Sequence, residues 1–240
     1  MAEHALGWRE PDPSYRAVYE TKYALAAAKM PDKAVPVVIG INWYTQFDRP
    51  VRGSDGAFWI GAGASWGTKR GGHAVCLRPP AIADLESRWK FANQGREGSC
   101  VGWACSAAQD LNNRRLYSGF PLYERAKTRD PWPGSDYEGT TVEAGLNTLR
   151  LEGAWPSRNG VTTGPVAADG ISGFLWARSV DEVRDALKTT EPFARLLNSW
   201  GTGYPREVRV PWQAIDRLMR EGGEFAAVID RPGASAGGRP

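Results

Sequence analysis

The sequence is sparing with the residues that most often announce a chemistry: its 240 residues include three cysteines, two histidines and three methionines. Cys76, Cys100 and Cys105 cannot all pair within one chain. Their spacing fits neither a disulfide framework nor a zinc site, whose ligands come as close pairs with a second pair downstream. The expectation is a reducing, cytoplasmic setting, with no metal and no other cofactor. No run approaches the ~20 apolar residues of a membrane span. Met1 to Trp8 is polar and lacks the basic-then-apolar layout of a signal peptide. A net charge of +3 is too small for a nucleic-acid footprint, and no basic run interleaves with aromatics. Lys69-Arg70 and Arg114-Arg115 read as solvated faces. These absences exclude nucleic-acid and membrane partners and leave a globular monomer. Its length suits one large domain or two small ones sharing a cleft.

What is present is a change of texture along the chain. Residues 1–20 have no periodicity and read as a surface arm that includes His4; Tyr23–Lys29 is a short Ala-rich helical run. Val35–Tyr44 is rich in β-branched and aromatic residues and reads as a strand. Glycines from Gly53 to Gly72 mark loops and turns around a strand at Ala57–Ile60. His73–Leu77 is a short strand stopped by Pro79-Pro80. Helices are expected over Val101–Tyr117, closed by Ser118-Gly119-Phe120-Pro121, over Thr141–Glu152 before Gly153, and over Val180–Leu187 behind the N-cap Ser179. Strands at Phe193–Leu197, Glu207–Val210 and Ala226–Asp230, with a helix at Pro211–Arg220, complete the pattern; residues 231–240 read as a disordered tail. The eleven tryptophans are scattered without a repeat and read as core and cleft wall.

The informative segment is Asn93-Gln94-Gly95-Arg96-Glu97-Gly98-Ser99-Cys100-Val101-Gly102-Trp103-Ala104. A cysteine in the first turn of a helix meets unpaired N–H groups and the positive dipole end, both of which favour the thiolate. The preceding glycines let the backbone approach a substrate. Gln94 can turn its amide toward the backbone N–H of Cys100, and two such donors make an oxyanion hole. Cys100 is therefore the candidate nucleophile.

This Gln-x5-Cys segment with its small and aromatic helix start resembles the active-site segment of the papain family of cysteine peptidases. Gly72-His73-Ala74-Val75 looks like that family's histidine strand. Leu197-Asn198-Ser199-Trp200-Gly201-Thr202-Gly203 looks like its asparagine loop. Tyr137-Glu138-Gly139-Thr140-Thr141 resembles its glycine-bearing substrate loop. The resemblance implies a two-lobed α+β fold: a helical lobe over residues 93–175, and an antiparallel barrel-like β lobe from 33–80 and 176–230, in a single catalytic domain over 1–230. It implies Cys100 as nucleophile and His73 as its base. Asn198 would orient His73, and Trp200 would shield that contact. Gln94 would serve the oxyanion, Gly139 would bind a substrate backbone, and Thr141 would line a neighbouring side-chain pocket. The partner implied is a peptide or protein substrate.

The chain departs from the family in order, because His73 precedes Cys100. The β segment from about Val35 to Leu77 has the character of one that the family carries just before its asparagine strand. Here Lys188-Thr189-Thr190-Glu191-Pro192 joins the flanking elements directly. The expectation is a transposed histidine segment that still builds the site, since a triad is defined by geometry and not by chain order. Two rivals stay open. One is an amidase or acyltransferase on a permuted papain-like fold; the other is a papain-like module that binds without catalysis. Cys76 and Cys105 read as buried core thiols. Ala64-Ser65-Trp66-Gly67-Thr68 echoes the asparagine loop but has Ala64 where the asparagine would stand.

Overall fold

The computed structural model describes residues 30–231, apart from 133, 135 and 159. The expected arm over 1–20 with His4, the helix over 23–29 and the tail from 232 onward lie outside the described residues. Strand β1 (Val37–Tyr44) sets the layering of the molecule. Its sequence VVIGINWY offers no polar face, so it needs cover on both sides, and all eight residues are buried. Val37, Ile39, Ile41 and Trp43 enter one core, and Val38 enters another on the opposite face.

The remaining strands are β2 (Val51–Arg52), β3 (Phe58–Trp59), β4 (Lys69–Arg78), a β5–β6 hairpin (Ser157–Arg158 and Val161–Thr162), β7 (Ile171–Trp176), β8 (Phe193–Leu197), β9 (Val208–Pro211) and β10 (Glu224–Asp230). Eight of them form one sheet in the order β2-β3-β9-β8-β4-β1-β10-β7. Ile41 stands opposite His73, and Val37 stands opposite both Leu77 and Ala227.

The helices are α1 (Glu86–Phe91), α2 (Cys100–Asn113), α3 (Gly119–Lys127), α4 (Val142–Glu152), α5 (Val180–Leu187) and α6 (Trp212–Arg220). Val101, Ala104, Ala108 and Leu111 of α2 and Leu146 and Leu149 of α4 share a core with Ala74, Cys76 and Val228 of the sheet. Val183 and Leu187 of α5 and Ile215 and Leu218 of α6 cover the other face, against Val75, Leu77 and Leu196.

The chain is α+β. Its sheet, however, is open and not the antiparallel barrel expected: β2 and β7 stand at the two ends, and β3 runs parallel to β9. Barrel strands turn one face to an interior, whereas β1 feeds cores on both faces, so helices cover this sheet from both sides. The expected helical stretch over 93–175 also contains the β5–β6 hairpin and most of β7, which pairs with β10.

Three local readings also change. Ser118-Gly119-Phe120-Pro121 does not merely end a helix. The helix stops at Arg114 in the left-handed conformation, and Ser118 becomes the N-cap position of α3. Pro121 sits in that first turn, where its missing N–H costs nothing. Strand β4 begins at Lys69 because Gly71 and Gly72 pair with Trp43 and Asn42 instead of turning. Helix α1 appears where the sequence carries no helical pattern. The expected N-cap Ser179 accepts from Glu182 N at 3.2 Å, and Thr141, read as the first residue of its helix, stands instead at the cap and accepts from Ala144 N at 3.1 Å.

Candidate active site

The site forms where one ladder stops. β8 pairs with β4 only at Cys76–Leu197, Leu77–Leu196 and Arg78–Arg195, after which the chain leaves the sheet at Asn198. N–H groups two residues apart on a strand point to the same edge, so Ala74 N–H is the next donor along the edge that β8 abandons. It donates instead to the sulfur of Cys100, at 3.2 Å. Cys100 is the first residue of α2 and is fully buried. Its sulfur therefore combines a helix N-terminus with a backbone donor, and both favour negative charge.

His73 and Asn198 meet across the same gap, with Nε2 and Oδ1 at 2.9 Å. Asn198 Oδ1 also accepts the N–H of Ser199 at 2.8 Å, which fixes the amide with its oxygen inward, since an NH2 group cannot accept. An oxygen there can only accept from His73, so Nε2 carries a ring proton and Nδ1 is the nitrogen left to exchange one. The imidazole is walled by tryptophans. Trp200 lies tilted at 32° with its ring centroid 5.1 Å away, and Trp43 stands edge-on at 4.6 Å. Trp43 in turn packs on Trp200 at 5.3 Å. The asparagine-loop motif points to Trp200 and leaves Trp43 unmarked, although the place of Trp43 opposite Gly71 on β1 sets it beside His73.

A second pairing joins the loop before Cys100 to the asparagine loop. Gly201 N donates to Ala92 O, Asn93 bridges Trp200, and Gln94 N donates to Ser199 O, so the two segments run antiparallel. Gly201 has φ 59, which favours glycine at this crossing. Gln94 is buried, and its side-chain Nε2 donates to Glu97 O at 3.1 Å. One of the two amide hydrogens thus holds the loop, while the other belongs to the same NH2 group. Glu97 is half-buried. Burial raises its carboxyl above the usual range, and Glu124 and Glu138 raise it further.

Gly139 and Thr141 are near but differently employed. A Cβ on Gly98 would stand 3.0 Å from Gly139 N, so the two loops are in contact. The N–H of Gly139 donates to the Tyr123 hydroxyl at 3.2 Å, and Thr141 spends its hydroxyl on the α4 cap. Thr141 is buried.

No protein-family model, curated protein or solved structure matches this chain. Among the described residues, no group of three His, Cys, Asp or Glu side chains could hold a metal ion. No described helix is long and apolar enough to cross a membrane.

Two further features bear on the site. Cys76 and Cys105 are buried, and burial pushes the Cys76 thiol up to about 12 and the Cys105 thiol well above its ordinary value. Cys100 is as buried as they are and differs in opening a helix and in accepting the Ala74 N–H. Beneath the asparagine loop, Arg88 of α1 forms a buried ion pair with Asp110 of α2 at 3.3 Å. Burial pushes the Asp110 carboxyl up to about 8, against the opposing pull of Arg88 and of the Tyr117 N–H. Nothing in the sequence marks Arg88, which ends a stretch read only as a connection between two elements.

Proposed function

We propose that this chain is a cysteine peptidase working by a papain-like mechanism on peptide or protein substrates. The observation that carries the reading is the convergence of three distant segments. Asn198 holds His73 Nε2 at 2.9 Å, while the backbone one residue past His73 holds the Cys100 sulfur at 3.2 Å. In the reaction, His73 Nδ1 takes the proton of Cys100, and the thiolate attacks the scissile carbonyl carbon. The N–H of Cys100 and the amide of Gln94 are the donors for the resulting oxyanion. His73 then protonates the leaving amine, and a thioester remains on Cys100. Water, deprotonated by His73, hydrolyses the thioester to the carboxylic acid and restores the thiol. Trp43 and Trp200 keep water from the His73–Asn198 contact, which strengthens it.

Iodoacetamide labelling at neutral pH, mapped by peptide, together with peptide hydrolysis by wild type and Cys100→Ala, tests the reading. Cys100 is expected to label at least about tenfold faster than Cys76 and Cys105, because the thiolate is the reactive form. Hydrolysis is expected to vanish in C100A. Equal labelling of the three thiols, or hydrolysis that survives in C100A, overturns the proposal.

One observation favours a second reading, a module that binds without catalysis: Cys100 and His73 are both fully buried, and Gly139 and Thr141 are engaged internally. Peptide binding that persists unchanged in C100A, with no turnover by wild type, selects it. Turnover of acyl esters with peptides untouched selects the amidase or acyltransferase reading.

A further inference from the structure

Arg88 is only 1% exposed, so its guanidinium has to find its partners inside the protein. Its contacts run to two elements that carry the site. Nη2 donates to the Ser199 hydroxyl at 3.1 Å, and Nη1 donates to the backbone carbonyl of Asn198 at 3.4 Å. Its Nε faces Asp110 Oδ2 at 3.3 Å. Asp110 lies on α2, the helix that begins at Cys100, and is itself fixed by accepting the Tyr117 N–H at 2.8 Å. The Arg88 backbone belongs to α1, which leads directly into the Ala92–Gln94 segment paired with the asparagine loop. A guanidinium is a planar fork of fixed donors, so one side chain can hold two partners in a set relation.

We propose that Arg88 is a positioning residue, which locks the Asn198–Ser199 backbone to the Cys100 helix and so sets the approach of Asn198 to His73. The inference rests on the peptidase reading. Arg88 touches neither the substrate nor the reacting atoms. It acts through Asn198, whose backbone carbonyl and whose neighbour's hydroxyl it holds, so that the Asn198 side chain starts toward His73 from a fixed backbone. Lysine keeps the charge opposite Asp110 but lacks the fork.

The test is a double-mutant cycle on the full chain, reading the pH profile of Cys100 alkylation and, separately, kcat and KM on a peptide. Arg88→Lys is expected to move the alkylation profile to higher pH and to lower kcat by about tenfold with KM unchanged, because misplacement of a catalytic group costs rate and not affinity. In an Asn198→Ala background the same substitution is expected to change either readout by less than about twofold, as coupled residues lose their effect together. Ser199→Ala, which leaves Arg88 in place, is expected to shift the profile in the same direction by a smaller amount. It decides the question if R88K does not fold. An R88K profile superimposed on wild type, or an equal effect in both backgrounds, overturns the inference alone. So does an S199A profile that coincides with wild type where R88K does not fold. A wild-type Cys100 that alkylates no faster than an ordinary thiol overturns the peptidase reading, and this inference with it.

Discussion

The backbone N–H of Ala74 donates to the sulfur of Cys100 at 3.2 Å, on a strand edge that β8 no longer covers. Proline is no probe of this donor, because its ring carbon would take the place of the hydrogen and collide with the sulfur. An amide-to-ester exchange at Ala74, which puts an oxygen where the N–H stands and adds no atom toward the sulfur, deletes one donor to the thiolate. A hydrogen bond to a charged group is worth about 1.5–3 kcal/mol, or about 1–2 pH units. The alkylation profile of Cys100 is expected to move upward by at least about one unit, with the circular dichroism spectrum unchanged. An unmoved profile removes Ala74 from the account of the thiol.

Asn198 Oδ1 accepts from both His73 and Ser199 N. Asn198→Ala strands both donors in a buried place, at about 1–3 kcal/mol each. The expected result is a fall in kcat of about 10–100-fold with KM little changed, while His73→Ala costs about 1000-fold through loss of the general base. Should N198A turn over peptides at the wild-type rate, Asn198 does not orient His73.

The buried thiols give a pH dependence of stability. Burial raises Cys76 to about 12 and Cys105 well above its ordinary value. In the unfolded chain both lose their protons near pH ~8.5. Between that value and the folded one, the folded state binds more protons than the unfolded state, so stability is full below about pH 8.5 and falls as pH rises. The slope is about 1.4 kcal/mol per pH unit for each thiol. Urea midpoints measured from about pH 9 to 10 are expected to fall steeply in wild type and less steeply in Cys105→Ala. Parallel slopes refute this.

Gly102 lies where α2 and α3 touch. A Cβ there would stand 2.1 Å from the Gly119 carbonyl oxygen and 2.9 Å from Tyr123 N, and neither backbone atom can rotate away. Gly102→Ala is expected to cost about 3 kcal/mol, the overpacking range, and to lower Tm by about 6–12 °C. Gly164→Ala, whose Cβ meets nothing within 4 Å, is expected to leave Tm within about 2 °C.

Elements built on a strong local pattern were legible in the sequence. β1 declared itself by its β-branched and aromatic residues, α4 by its apolar face and Gly153 at its end, and α5 by Ser179 at its start. The openness of the sheet was not legible, because covering both faces of β1 depends on helices α5 and α6 from far along the chain. α3 was hidden by Gly119 and Pro121, residues that end a helix or begin one according to which side of the turn they occupy. Cys100, His73 and Asn198 stand out by their neighbours in sequence. The parts of the site that came only with the structure are contacts between unlike segments: Trp43 on His73, Tyr123 on Gly139, and Arg88 under Asn198.

The neighbours of β1 impose a timetable. β1 is made early, yet one of its two edges waits for β10, with Val37 opposite Ala227, and β4 waits for β8. Non-local pairings of this kind form late, since a long loop must close before any contact rewards it. During synthesis, then, the chain carries both His73 and Cys100 until Asn198 is added, 98 residues after Cys100. On the peptidase reading, the order of the strands would keep the thiol without its oriented histidine until Asn198 arrives.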